Sequence, residues 1–322
     1  MKRNLLFLSH FVLFSIGISD DDSMEKYRAG THSAAKVLSS IDRKYGDHSG
    51  NRVLCRFYNH GAIGDLSSSF SGVYPIGTGH SYFYEFSPVV AASVLDANGN
   101  RKHIVSDGTI GLVDSSPEGS PWSFEPLPGY ANPNQEYLAM SDNLNSWPSS
   151  WPNRADDWDG EWNGQYGKYI RADQESYFVM DDFYNSEFEF WPDENDTPET
   201  TTEDPDDHRR GLGIGLEVRG YQWNHPAAED IIIVTYWITN VGTNVLDSVV
   251  FGMYGDSDVG GPSSFSDDDA WFDIENDMVY QWDHDNWSTS YGGFRPAYFG
   301  WSFLESPGNP HDGIDNDGDG MV

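Results

Sequence analysis

Three aspartates two residues apart, Asp315, Asp317 and Asp319, run into Gly320 within the stretch DGIDNDGDGMV, residues 312 to 322. Carboxylates on alternate residues of a tight turn can aim oxygens at one point, and the glycine permits the bend. The spacing matches the opening of a calcium loop, D-x-[DN]-x-[DN]-G, and Asp312 can add a further ligand. Such a loop continues through a ninth position to a bidentate Glu at the twelfth. Counted from Asp315, residue 322 is the eighth position, so the expectation is a fragment that stops inside a calcium loop. A polar Gly/Asp linker is the competing reading.

A second acidic group lies in YGDSDVGGPSSFSDDDAWFD. Asp256 and Asp258 follow directly on a strand-like run, and Asp267, Asp268 and Asp269 come about one loop later. Loops gathered at one end of a sandwich commonly carry cation sites, so these five are candidate calcium ligands. The alternative is a solvated acidic loop.

The tryptophans raise a different chemistry. Trp147, Trp151, Trp158 and Trp162 recur in one irregular segment, residues 147 to 167. Exposed aromatic faces stack on sugar rings, which makes the segment a candidate carbohydrate surface. Pro148 and Pro152, each directly after a Trp, favour rigid packing instead, with each ring burying roughly 150–250 Å².

Other motifs fail on context. GDSD around Ser257 resembles the nucleophile block of one lipase/esterase family, but Pro262 and a polar loop follow where a helix is needed, and no base pairs with it in sequence. GLGIG, residues 211 to 215, runs into the strand-like LEVRGYQW rather than a helix, so a dinucleotide loop is not expected. Paired acids such as Asp156-Asp157 and Asp181-Asp182 are expected by chance among 52 acidic residues, so no glycosidase pair stands out. The ten histidines are scattered and H-E-x-x-H is absent. Cys55 is the single cysteine, which rules out an internal disulfide, and its apolar run marks a buried thiol.

The bulk charge narrows the partners. With 18 basic and 52 acidic residues the formal net charge is −34. Phosphate binding needs clustered Lys and Arg, so nucleic acid is excluded as a partner, and anionic membrane surfaces are disfavoured. Acidic surfaces suit cations and solubility in salt.

These residues must be positioned by strands. At the N-terminus, Met1 to Asn4 is a short basic stretch, and LLFLSHFVLFSIGI is an apolar run that ends on small residues near Ser19. This predicts a signal peptide over residues 1–19, because the run is shorter than the roughly 20 residues that span a bilayer. No membrane span is expected after cleavage. Residues 20–50 read as a polar lead-in with a short helix, Ala34, Val37, Leu38 and Ile41 on one face and Gly46 ending it. From residue 51 to 306 short apolar or alternating runs follow one another, among them RVLCRFY, SYFYEF, VVAASVL, SYFVMDD, EFEFW, DIIIVTYWITN and MVYQWD. DANGN, residues 96 to 100, holds an Asn-Gly pair suited to a hairpin turn. DIIIVTYWITN and LDSVVFGMYG are joined by a short Gly/Asn turn. The expected fold is all-β, a β-sandwich with long irregular loops, as one sandwich or two packed together. Residues 307–322 form the start of the Asp/Gly loop.

The stretches WDGEWNGQYG, ADQESYFVMDD, GLGIGLEVRGYQW, DIIIVTYWITNVGTNVLDSVVFGMYGDSDVG and AYFGWSFLESPG together resemble large secreted β-rich, multi-module proteins of marine and gliding-type bacteria. The resemblance covers roughly residues 50 to 320 and carries no catalytic residue. Many such proteins bear a C-terminal sorting tail, which this sequence lacks. The reading is therefore a non-catalytic, calcium-stabilised β-sandwich region of a secreted or surface protein, with glycans or other surface proteins as partners. A carbohydrate-binding module and an accessory region of a secreted hydrolase are the alternatives.

Overall fold

The computed structural model describes residues 11–18, 42–64, 71–96, 98–109, 122–193 and 208–305. The fold is all-β, and its named helical elements are 3-10 turns of three residues. The strands begin with β1 (Phe11–Ile18), β2 (Tyr45–His48), β3 (Cys55–Tyr58), β4 (Phe83–Leu95) and β5 (Arg101–Asp107). They continue with β6 (Glu125–Pro126), β7 (Ala139–Met140), β8 (Gln174–Asp181), β9 (Ile214–Gln222) and β10 (Ile231–Asn240). The last are β11 (Asp247–Ser257), β12 (Asp268–Asp273), β13 (Met278–Asp283) and β14 (Phe299–Glu305).

Nine strands make one sheet in the order β12-β13-β14-β1-β10-β9-β8-β6, with β7 also paired to β8. A smaller sheet runs β11-β4-β5, and β2-β3 is a ribbon. The DANGN turn joins β4 to β5 in register, with Gly99 at φ +77° and Asp96 accepting from the Asn98 and Asn100 amides. Only a residue without a β-carbon takes that backbone angle freely.

Alternation explains the central strands. Ile232, Val234, Tyr236 and Ile238 of β10 are buried, and the residues between them are half-buried. Strands β8 and β9 are buried on both sides, which is why their sequences do not alternate. The inner faces of both sheets meet in one cluster, with Phe86 and Val90 of β4, Ile104 of β5, Phe178 of β8, Val218 of β9, Val234 of β10 and Phe299 of β14. Phe83 and Phe86 meet edge to face at 5.0 Å, and Phe86 meets Trp301 at 5.0 Å. Each such ring stabilises the fold by roughly 1.5–3 kcal/mol through burial.

The structure departs from sequence expectation at Gly46 and at EFEFW. The residues of the expected lead-in helix, Ala34 to Ile41, lie outside the described residues, but Gly46 does not end a helix: it sits inside β2, paired with Phe57. A β-carbon there would come within 2.5 Å of Met140 Sδ, so the glycine serves close strand packing. The run EFEFW, residues 187 to 191, is irregular, with the Phe188 and Phe190 carbonyls taken by the Arg210 side chain. The turn after β10 does not fold β11 back onto it. Both edges of β10 are occupied, by β9 and β1, so the chain crosses to the smaller sheet and β11 pairs with β4. Finally, Phe11–Ile18, the apolar part of the expected leader, is a strand between β10 and β14.

Candidate cation site

The β12–β13 hairpin places the start of one strand beside the end of the other, with Asp268 opposite Asp283 and Asp269 opposite Trp282. A 3-10 turn, Phe265–Asp267, leads into β12, and a tight turn leaves β13. That second turn folds on Asp283, whose Oδ1 accepts from the Trp287 amide at 2.7 Å and whose Oδ2 accepts from Ser264 Oγ at 2.9 Å. Asp283 is 3% exposed, so its carboxylate is held rigidly. These two turns bring Asp267, Asp283 and Asp285 together, with one carboxylate oxygen from each lying within 4.8 Å of the others. Asp267 and Asp285 are exposed. Among the described residues no Lys or Arg forms an ion pair with any of the three.

Asp268 stands against this group. Its Oδ2 accepts from the Val259 amide at 2.9 Å, while its Oδ1 is buried without a hydrogen-bond partner. Burial, and then the charges of Asp283, Asp267 and Asp258, push its pKa up to about 7. Asp258 is raised too, by burial and by Asp256. Carboxylates crowded in this way repel one another, and a cation relieves the repulsion. Asp269 turns elsewhere: its Oδ2 lies 2.7 Å from His284 Nδ1, and the pair raises the pKa of that exposed imidazole.

Of the acids expected from sequence, the structure gathers Asp267 with Asp268 and Asp258 around one region, sends Asp269 to a histidine and leaves Asp256 on β11 opposite Glu85. Asp312, Asp315, Asp317 and Asp319 lie outside the described residues. Asp283 and Asp285 were not among the sequence candidates. Their signal is the D-x-D spacing in WDHDNW, which a strand reading of MVYQWD conceals.

The tryptophan segment is packed rather than offered to solvent. Trp151 is 3% and Trp162 2% exposed, and with Tyr130, Tyr177 and Val179 they form a second buried cluster on the outer face of β8. Trp147 and Trp158 are half-buried against it. Trp162 Nε1 donates to Glu175 at 2.7 Å, Trp151 Nε1 to the Glu161 carbonyl at 2.9 Å and Trp147 Nε1 to the Met140 carbonyl at 2.7 Å. Trp158 carries the Arg154 guanidinium over its ring at 4.5 Å. A ring with both faces covered cannot stack on a sugar, so Trp151 and Trp162 serve the core.

Asp181 and Asp182 are likewise structural. Asp182 accepts from Ser106 Oγ at 2.7 Å and from the Leu212 and Ile214 amides at 2.7 and 2.8 Å, tying β5, β8 and the entry to β9 together. Asp181 lies 3.5 Å from the buried Arg209. Cys55 is fully buried and burial pushes its thiol well above the usual range, which suits a core residue. Comparison of the chain with family models, with curated proteins and with solved structures returned no match.

Proposed function

We propose that this chain is a non-catalytic β-sandwich region of a secreted or cell-surface protein, in which calcium fixes the loops at the β12–β13 end for a structural or adhesive role. The observation that carries the proposal is the meeting of Asp267, Asp283 and Asp285 from two turns, with Asp283 locked in place and, among the described residues, no Lys or Arg ion-paired to them. Calcium takes six to eight oxygens in flexible geometry, so three carboxylates with backbone carbonyls and water meet its needs. The sandwich reading is supported by the core shared between the two sheets and by the crossing of the chain from one to the other after β10. Secretion is supported by the basic, apolar and small-residue succession over residues 1–19.

Calorimetric titration tests the cation. The expected result is saturable calcium binding with a Kd on the order of 10⁻⁴–10⁻³ M, the range of extracellular modules, and much weaker magnesium binding. Asp267→Asn together with Asp285→Asn should abolish the heat while leaving the fold intact, because both side chains are exposed. Calcium heat that survives this double substitution unchanged moves the site elsewhere, and no heat in the unaltered protein rejects it. Mass spectrometry of the exported protein tests the leader: an N-terminus after Ser19 is expected, and an intact Met1 overturns it.

A further inference from the structure

The large sheet contains a position that one extended strand fills. β10 and β14 do not pair with each other; each pairs with β1, and both pairings are parallel. All eight residues of β1 are in register with β10, from Phe11 opposite Ile231 to Ile18 opposite Ile238. Phe11 to Phe14 are also in register with β14, opposite Gly300 to Phe303, and the register shifts before Ser15, which stands opposite Glu305. Val12, Phe14, Ile16 and Ile18 stand at the positions of Ile232, Val234, Tyr236 and Ile238, the buried side of β10. Ser15 and Gly17 stand at the positions of Thr235 and Trp237, the half-buried side.

The same eight residues are the apolar run of the expected leader. If residues 1–19 leave on export, β10 and β14 remain two strand spacings apart, roughly 9–10 Å, with facing backbone donors and acceptors unpaired. A neighbour that runs parallel to both cannot arrive by a hairpin. Parallel strands need a connection of about a dozen residues or more, so an occupant must come from a long tether or from another chain.

We propose that β10 and β14 form a strand-acceptor slot, filled by residues 11–18 before processing and open afterwards to an extended apolar segment of another polypeptide, running parallel to β10. The removal step rests on the leader reading given above; the slot itself rests on the register. Backbone hydrogen bonds to two strand edges would hold the occupant, and alternate side chains would select it. The register sets the selection: bulky apolar residues at four alternate positions opposite Ile232, Val234, Tyr236 and Ile238, and small or polar residues between them towards the Trp237 end. A surface of this acidity also favours a segment without its own negative charge.

The probe is a fluorescent peptide of residues 9–20, given a short lysine tail for solubility and added to exported protein whose mass shows a start after Ser19. One-to-one saturable binding and a raised Tm are expected. A peptide carrying Phe14→Asp and Ile16→Asp should bind at least tenfold more weakly, and unprocessed chain, with its own β1 in place, should not bind. Exported protein that binds neither peptide, or both equally as a merely sticky surface would, overturns the slot. If the exported protein keeps Met1, the leader reading fails by itself. The slot is then tested in the full chain, where Phe14→Asp must lower the Tm; an unchanged Tm overturns it.

Discussion

Asp182 illustrates how a buried carboxylate can matter here without being a catalytic group. It bridges Ser106, Leu212 and Ile214, and Gly211 beside it, at φ +65°, has no room for a β-carbon because Asp182 would lie 2.5 Å away. Asp182→Ala would strand two amides and a hydroxyl in the interior. Unsatisfied buried groups cost about 1–3 kcal/mol each, so a loss of roughly 3 kcal/mol or more is expected in urea unfolding. Burial also pushes the pKa of both Asp182 and Asp181 up to about 6, against the usual value near 3.8. The fold then binds these protons more tightly than the unfolded chain. Their contribution to stability is present below about pH 4 and is lost as the pH rises through about 6. Asp182→Asn, which cannot titrate, should flatten that slope in melts between pH 4 and 7. In the sequence this pair reads only as two acids in a row among many. Its role depends on residues from β5 and from the entry to β9, which no local spacing reveals.

Elements were legible where a local rule governs them, and opaque where a distant partner decides. The β4–β5 hairpin follows from Asn98-Gly99 between alternating runs, and the Trp-Pro pairs point correctly to a packed loop. The partner of β11 was hidden, because the VGTN turn resembles a hairpin connection while the free edge of β4 captures the strand. The same non-local logic hid the cation group: Asp267 was legible in a run of acids, but Asp283 and Asp285 join it only through the pairing of β12 with β13. The tryptophan segment can be tested as an element. Trp162→Ala should cost about 3–5 kcal/mol, as expected for a buried aromatic, and would leave Glu175 without that donor. Trp162→Phe should cost less, since it keeps most of the ring volume. Thermal melts beside a glycan-array measurement would read both effects. A Tm that stays unchanged while glycan binding disappears would make the segment a sugar site after all.

At the scale of the whole molecule, the net charge of −34 opposes the compact state, and two kinds of ion should relieve it differently. Sodium chloride screens exposed charges beyond a Debye length of about 8 Å at physiological strength, so the Tm of metal-free protein should rise gradually with salt. Calcium should act at one place and at low concentration. The two ligation states should also respond oppositely to pH. Without metal, Asp181 and Asp182 titrate near pH 6 and Asp268 near 7, all raised, so the protein should gain stability as the pH falls from 7.5 to 5. With calcium, a proton on Asp268 relieves the same crowding of charge that the cation relieves, so the two compete. The calcium-induced rise in Tm should therefore be largest near pH 7.5 and shrink towards pH 5, so that the melting curves with and without metal converge on acidification. Asp267→Asn with Asp285→Asn should merge them at every pH, keeping the part of the metal-free slope that belongs to Asp181 and Asp182 and weakening the Asp268 part, which loses the Asp267 charge. A calcium-induced rise that is equal at pH 5 and pH 7.5 would place the cation out of reach of the Asp268 charge, and so away from the β12–β13 turns beside it.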